Sequence, residues 1–287
     1  MDIESKIILI SGPTASGKSD FAVKLAKKIN GEIINADSMQ VYKQFKILTA
    51  RPKKIEQKNI KHHLYGVIDL KNNFSTGKWL RLATKKIREI RKRKKVPILV
   101  GGTGLYFNAL VYGLVKIPDI PVKFRNKIRL LHKSYGQKKF YKKLLKIDSL
   151  VEGKININDS QRSIRAYEIK FYTKKSMYDW AKETKPIFKE NHFLKLYINC
   201  NRDKLIEKIE KRTANMIKLG AIKEVKKLRN SKLLPKSSAN KIIGVNEINQ
   251  FLEKKIKIEE VKKLISIKTR QYAKRQATWS RSKMKSW

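Results

Sequence analysis

Continuous apolar runs alternate with helical periodicity through the first third of the chain. "KIILIS" (6–11) is apolar without a break, as a strand buried on both faces must be. It runs into "GPTASGKS" (12–19). The "SDFAVKLAKKI" that follows repeats Phe21, Leu25 and Ile29 every four residues, which predicts an amphipathic helix with that stripe inward. "EIINAD" (32–37) predicts a second strand ending in Asp37. After a polar stretch with His62 and His63 comes a basic helix, "KWLRLATKKIREIRKRKK". "VPILV" (96–100) predicts a third buried strand, ending at "GGTG". Strands and helices alternating at these lengths predict an α/β fold: a parallel sheet with helices on both faces.

The pattern changes at Ile117. From there to about Lys195 the segments are short, helical and heavily charged, and "IPDIP" (117–121) serves as an entry hinge. "FLKLYIN" (193–199) predicts a return to the sheet. The expected organisation is therefore a core of 1–116 and 196–287 with a helical insertion over 117–195. The rest of the core is helical, with Leu205, Ile209 and Met216 on one face of "RDKLIEKIEKRTANMIKLG" and a last basic helix from about Glu259. No internal repeat is visible.

Charge changes the picture. The 287 residues carry 69 Lys and Arg against 24 Asp and Glu, formally +45. Part of that excess matches the Lys, Ile and Asn bias of an AT-rich genome, yet a field of this sign favours a polyanion such as RNA or DNA. The single cysteine, Cys200, excludes a disulfide framework and a cysteine metal cluster. The apolar run at the start is too short for a signal peptide or a membrane span. A soluble, cytoplasmic protein acting as a monomer is expected.

Gly12, Gly17, Lys18 and Ser19 have phosphate-loop spacing, between a strand and a helix as that motif requires. Its amides and the helix N-terminus attract phosphate oxygens, Lys18 adds a full charge, and the Ser19 hydroxyl is placed for Mg²⁺. Asp37 and Thr103, at the ends of neighbouring strands, are both expected to face the phosphates. From the residues alone Asp37 is either a metal-supporting acid or the acceptor of a nucleophile's proton. Such a loop also serves small-molecule kinases.

Five segments, "GPTASGKS", "NADSMQVYK", "GGTGLYFNAL", "NDSQRSIRAYEI" and "TRQYAKRQATWSR", occur in an order that closely resembles the tRNA dimethylallyltransferase family, across nearly the whole chain. The resemblance implies a P-loop fold whose loop, Gly12, Pro13, Thr14, Ala15, Ser16, Gly17, Lys18 and Ser19, holds the diphosphate of dimethylallyl diphosphate. The five-carbon group would pass to the N6 amine of the adenosine immediately 3′ of the tRNA anticodon. Asp37 would be the general base, Ser38, Met39 and Gln40 would line the base pocket, and Thr103 would contact the diphosphate and reacting centre. It also implies tRNA contacts at Arg125, Gln161, Arg162, Ser163, Ile164, Arg165, Lys241, Arg270 and Arg275, and an arginine, Arg212, facing the channel. Val245 and Asn246 depart from the family pattern, which puts one RNA contact in doubt. The His62–His63 pair reads as structural or lining. Tyr272 and Trp279 read either as stacking partners for bases or as core anchors. Three rivals differ in what they predict: a kinase needs ATP, an adenylate isopentenyltransferase accepts free AMP, and a non-catalytic RNA-binding protein turns nothing over.

Overall fold

The central strands form where "IILIS" and "VPILVG" present buried residues on both sides of the backbone. In a computed structural model, which describes residues 3, 5–72, 74–230, 241–284 and 287, five parallel strands lie in the order His62–His63, Gly31–Asn35, Val96–Gly101, Ile7–Ser11 and Phe193–Tyr197. The chain runs β1 (Ile7–Ser11), α1 (Lys18–Lys28), β2 (Gly31–Asn35), α2 (Lys54–Gln57), β3 (His62–His63), α3 (Thr76–Lys92), β4 (Val96–Gly101) and α4 (Gly104–Tyr112). It continues through α5 (Val122–Ile147), α6 (Ser160–Thr173), α7 (Met177–Lys182), β5 (Phe193–Tyr197), α8 (Arg202–Lys218), α9 (Ala221–Asn230), α10 (Val245–Leu252) and α11 (Ile258–Lys283). Ile8 pairs with Ile98 and with Leu194, so β1 lies between β4 and β5, and Ile33 pairs with Ile98 on the other side of β4. The expected polar stretch after β2 thus hides a two-residue edge strand, too short to leave a period-2 signal.

One sheet face, with Ile8, Ile10, Ile33, Ile98 and Val100, packs on α1. The inward stripe of α1 differs from the expected one. Ala22, Val23 and Ala26 are the buried positions, Leu25 and Ile29 are half-buried, and Phe21 is 41% exposed. The reason is close approach: a Cβ on Gly31 would lie 3.3 Å from the Ala26 Cα, and only small side chains admit that spacing. On α3, Trp79, Ala83, Ile87 and Ile90 are fully buried, and Ser75 caps its N-terminus by accepting from the Lys78 amide. A second core joins Val41, Tyr42, Phe45 and Leu48 to Val225, Val245, Ile248, Val261 and Ile265 of the last three helices.

Two compact units result, residues 1–111 with 188–287 and residues 112–187. β5 belongs to the sheet-bearing unit, so the helical unit ends earlier in the chain than the 117–195 span set by composition. Inside the helical unit, α5 consists of two helical segments meeting at Gly136 (φ 69°), and α6 packs along it through Phe140, Leu144, Ala166 and Tyr167. Among the described residues, no helix is long and apolar enough to cross a membrane.

Candidate active site

The site forms where β1, β2 and β4 end. Gly17 takes φ 91°, a left-handed conformation that suits glycine, and there the loop turns into α1. A cavity of about 490 Å³ opens over it, lined by Thr14, Ala15, Gly17, Lys18 and Ser19, with Asp20, Asp37, Glu56, Tyr65 and Arg212. Gly12, Pro13 and Ser16 are buried and do not line it. The Pro13 carbonyl accepts from the Ser16 amide (3.2 Å) and from Lys18 Nζ (3.0 Å), which makes it the inner brace of the loop. Burial lowers the Lys18 ammonium to about 8; Asp37 opposes that shift and Arg212 adds to it. Arg212 donates to Thr14 Oγ1 at 3.1 Å, and burial holds its guanidinium below the ordinary value against the pull of Asp37 and Glu56.

Asp37 lies two residues beyond β2, in a side-chain turn. Its Oδ1 accepts from the Met39 amide (2.8 Å) and the Gln40 amide (3.3 Å), which leaves Oδ2 outside these turn bonds. Asn35 bonds the Asp37 amide through Oδ1 and the Asp37 carbonyl through Nδ2, and Trp79 Nε1 donates to the Asn35 carbonyl at 2.8 Å. This fixes the aspartate from the core outward. Asp37 also lines a second cavity of about 270 Å³, whose walls include Met39, Leu48, Ile209, Met216, Ile243, Ile265 and Tyr272. Thr14, Thr49 and Arg212 line both cavities, like Asp37. Burial, and then the charge of Asp37, push the Tyr65 and Tyr272 hydroxyls well above their ordinary value, so both stay protonated donors. His62 lines the loop cavity and is held neutral by burial, while His63 pairs with the buried Glu32.

Thr103 is half-buried and is not among the residues lining the two cavities. Its Oγ1 accepts from the Ser38 amide at 3.0 Å and approaches Ser38 Oγ at 3.4 Å, so Thr103 and Ser38 latch the two strand ends together. The backbones meet here too: a Cβ on Gly101 would lie 2.1 Å from the Ala36 carbonyl oxygen, and the Thr103 amide donates to that carbonyl at 3.2 Å. Gln40 lines the loop cavity, and its Nε2 donates to the Thr49 and Ala50 carbonyls.

The predicted RNA contacts separate. Gln161 and Arg162 are exposed on the first turn of α6, with Arg162 in a loose pair with Asp159 (3.5 Å). Arg125 and Arg165 converge instead on one buried carboxylate, Glu168 Oε2, each at 3.2 Å. Ser163 is fully buried, bonded to the Asp159 carbonyl and to Gln137, and the partly buried Ile164 packs on the helical unit's core. They occupy the inward positions of a helix whose outward positions carry Gln161 and Arg162. Lys241 and Arg275 line the apolar cavity, and Arg275 sits 5.8 Å over the Tyr272 ring. Arg270 lines neither cavity. Trp279 is a packing residue: a Cβ on Gly104 would fall 2.1 Å from its ring. Val245 is fully buried, and Gly244 before it takes φ 104°. Gln276, Tyr65 and Thr49 also stand at the site, outside the expected set. Tyr272 and Gln276 stand four apart on α11, and that spacing was the available signal.

The chain matches the IPP transferase family model over residues 40–283. It is 66% identical over 287 residues to the tRNA dimethylallyltransferase of Pelagibacter ubique (strain HTCC1062), covering 100% of this chain and 92% of that protein. It is 43% identical over 283 residues to the tRNA dimethylallyltransferase of Rickettsia massiliae (strain Mtu5), covering 98% and 78%. Among solved structures, a eukaryotic dimethylallyltransferase acting on tRNA aligns with a TM-score of 0.83 at 31% identity, over 96% of this chain and 69% of that one. The tRNA isopentenylpyrophosphate transferase of Bacillus halodurans aligns with a TM-score of 0.68 at 35% identity, over 97% and 88%. A phosphate loop, a fixed aspartate on the wall of two cavities, and these likenesses over nearly the full length agree: the chain belongs to the IPP transferase family of tRNA dimethylallyltransferases.

Proposed function

We propose that this chain transfers the dimethylallyl group of dimethylallyl diphosphate to the N6 amine of the adenosine immediately 3′ of the anticodon in tRNA, giving N6-isopentenyladenosine. The observation that carries the reading is the position of Asp37 on the wall of both cavities, the polar one over the phosphate loop and the apolar one beside it. The loop cavity takes the diphosphate, against Lys18, Ser19 and the amides at the start of α1. Arg212, reaching Thr14 from α8, adds a second cation where leaving-group charge accumulates.

In the transfer the C1–O bond of the prenyl diphosphate breaks, and its electron pair leaves with the diphosphate. The N6 lone pair forms the new bond to C1, and the N6 proton passes to Asp37. An adenine amine is a weak nucleophile, so the gain lies in orientation and in removing that proton as the bond forms. Asp37 Oδ2 is suited to this, because the backbone amides occupying Oδ1 hold the carboxylate in one rotamer. Met39, Leu48, Ile209 and Ile265 keep water from the allylic cation-like centre.

Mg²⁺ fits the donors on the wall. The loop cavity offers the Ser19 hydroxyl and carboxylates rather than sulfur or paired imidazoles, and no group of three or more His, Cys, Asp or Glu is poised to hold a metal by itself among the described residues. That is the environment of a Mg²⁺ that takes most of its ligands from water and substrate phosphate, with Ser19 as the protein's contribution. When bound, it neutralises charge on the departing diphosphate.

The exposed Gln161 and Arg162 contribute to tRNA contact on the helical unit, and Lys241 and Arg275 do so at the apolar cavity. The test is mass analysis of nucleosides from tRNA incubated with the protein, Mg²⁺ and dimethylallyl diphosphate, without ATP. A new isopentenyladenosine peak is the expected result. A product that appears only with ATP, or only on free AMP, replaces this reading with a rival.

A further inference from the structure

We propose that Gln276 is a positioning residue of the diphosphate site, a clamp that ties the phosphate loop to the "GGTG" loop. This rests on the reading of the phosphate loop as a diphosphate cradle. Both ends of the carboxamide are engaged across long stretches of chain. Gln276 Oε1 accepts from the Thr14 amide at 2.8 Å, and Nε2 donates to the Gly102 carbonyl at 2.9 Å. The side chain is also hydrogen-bonded to Tyr272, one turn earlier on α11. At 8% exposure it has little competing water.

A side chain with one donor and one acceptor at a fixed spacing meets this demand; leucine, methionine and lysine do not. The opposite loop is shaped for it: a Cβ on Gly102 would lie 2.0 Å from Gln276 Nε2. The consequence falls on Thr14. With its amide held from behind by Gln276, its hydroxyl accepts from Arg212 while its side of the loop lines both cavities. Gln276 therefore acts through Thr14 on Arg212 and on the entry to the loop, without touching the diphosphate. Donors held in place before substrate arrives need no reorganisation as charge develops.

The experiment compares wild type, Gln276→Met, Gly102→Ala, the double variant and a control, Val261→Ala, which loosens α11 at a fully buried valine near its N-terminus, far from these bonds. Pyrophosphate with Mg²⁺ is titrated by calorimetry, tRNA binding is measured separately, and melting temperatures are recorded. Both single variants are expected to bind pyrophosphate at least about fivefold more weakly, the size of about one lost net hydrogen bond. Their tRNA affinity should stay unchanged, and the double variant should be no weaker than the worse single, because both break one linkage. Pyrophosphate affinity within twofold of the control for both singles overturns the clamp. A wild type that binds pyrophosphate but does not prenylate tRNA refutes the proposed function and leaves the clamp to be decided by the same affinities. A wild type that binds no pyrophosphate removes both.

Discussion

Asp37 combines two tasks that a substitution can separate. One oxygen builds the turn that carries Met39 and Gln40, and the other is the base of the proposed reaction. Asp37→Asn keeps the turn acceptor and removes the base. Turnover should fall by about 10²–10⁴, the usual contribution of a positioned base, with tRNA affinity nearly unchanged. Steady-state prenylation with a filter-binding assay checks both. Lys18 makes a prediction in pH. Burial lowers its ammonium from an ordinary 10.5 to about 8, so the free protein carries this charge below pH 8 and loses it above. A bound diphosphate restores the proton, so pyrophosphate affinity should weaken about tenfold per unit above pH 8 and be flat in this respect below it. In Lys18→Arg the break should move to higher pH, since guanidinium holds its proton. For stability the sign is opposite. Between about 8 and 10.5 the unfolded chain binds a proton that the folded one does not, so Lys18 makes folding more favourable as pH rises through that window. Calorimetry across pH 7–10 reads the first effect, and denaturant titration the second.

At the scale of elements, α6 shows how one helix divides structure from contact. Its first turn exposes Gln161 and Arg162, and its inward side carries Ser163, Ala166 and the buried Glu168. Glu168 holds Arg125 of α5 and Arg165 of its own helix, each about two-fifths exposed. Glu168→Ala should destabilise the helical unit by about 2 kcal/mol, the range for charged hydrogen bonds reduced for the solvent reaching both guanidinium groups. Circular dichroism during thermal unfolding measures it. Arg162→Ala, by contrast, should leave stability within about 0.5 kcal/mol, as surface changes do. The position of "QRSIR" was legible in the sequence, but the division within it was not. Five adjacent letters read as one RNA-contacting motif until helix geometry buries Ser163 and packs one side of Ile164 on the core. α1 is the same case: Phe21 carries more apolar surface than Ala22 or Ala26, yet close approach to the sheet selects the small residues. Hydrophobicity alone does not register that.

On the scale of the whole molecule, a formal charge of +45 dominates association with RNA. Its effect is long-ranged and sequence-independent, so tRNA affinity should fall steeply with salt. Removing one phosphate contact by Arg162→Ala should lower the slope of log K against log salt by about 0.7–0.9. Titrations at several salt concentrations give that slope, and an unchanged value removes Arg162 from the RNA contacts. The same field does not place the reacting base. In the proposed reaction, that depends on Asp37, Arg212 and the walls of two cavities, drawn from α1, β4, α8, α11 and the loops after β1 and β2.

What the sequence determined by itself was local: three buried strands, a phosphate loop with its lysine and serine, the aspartate after β2, and a family resemblance spread over five segments. Each depends on residues close together in the chain, where spacing and geometry are nearly the same thing. Long-range packing set the rest: Thr103 turns to Ser38, Glu168 holds two arginines, and Gln276 spans from Thr14 to Gly102. Those outcomes depend on which distant backbones touch. A carboxamide on the last helix acquires its role only when two loops from the first half of the chain arrive within hydrogen-bond reach of it.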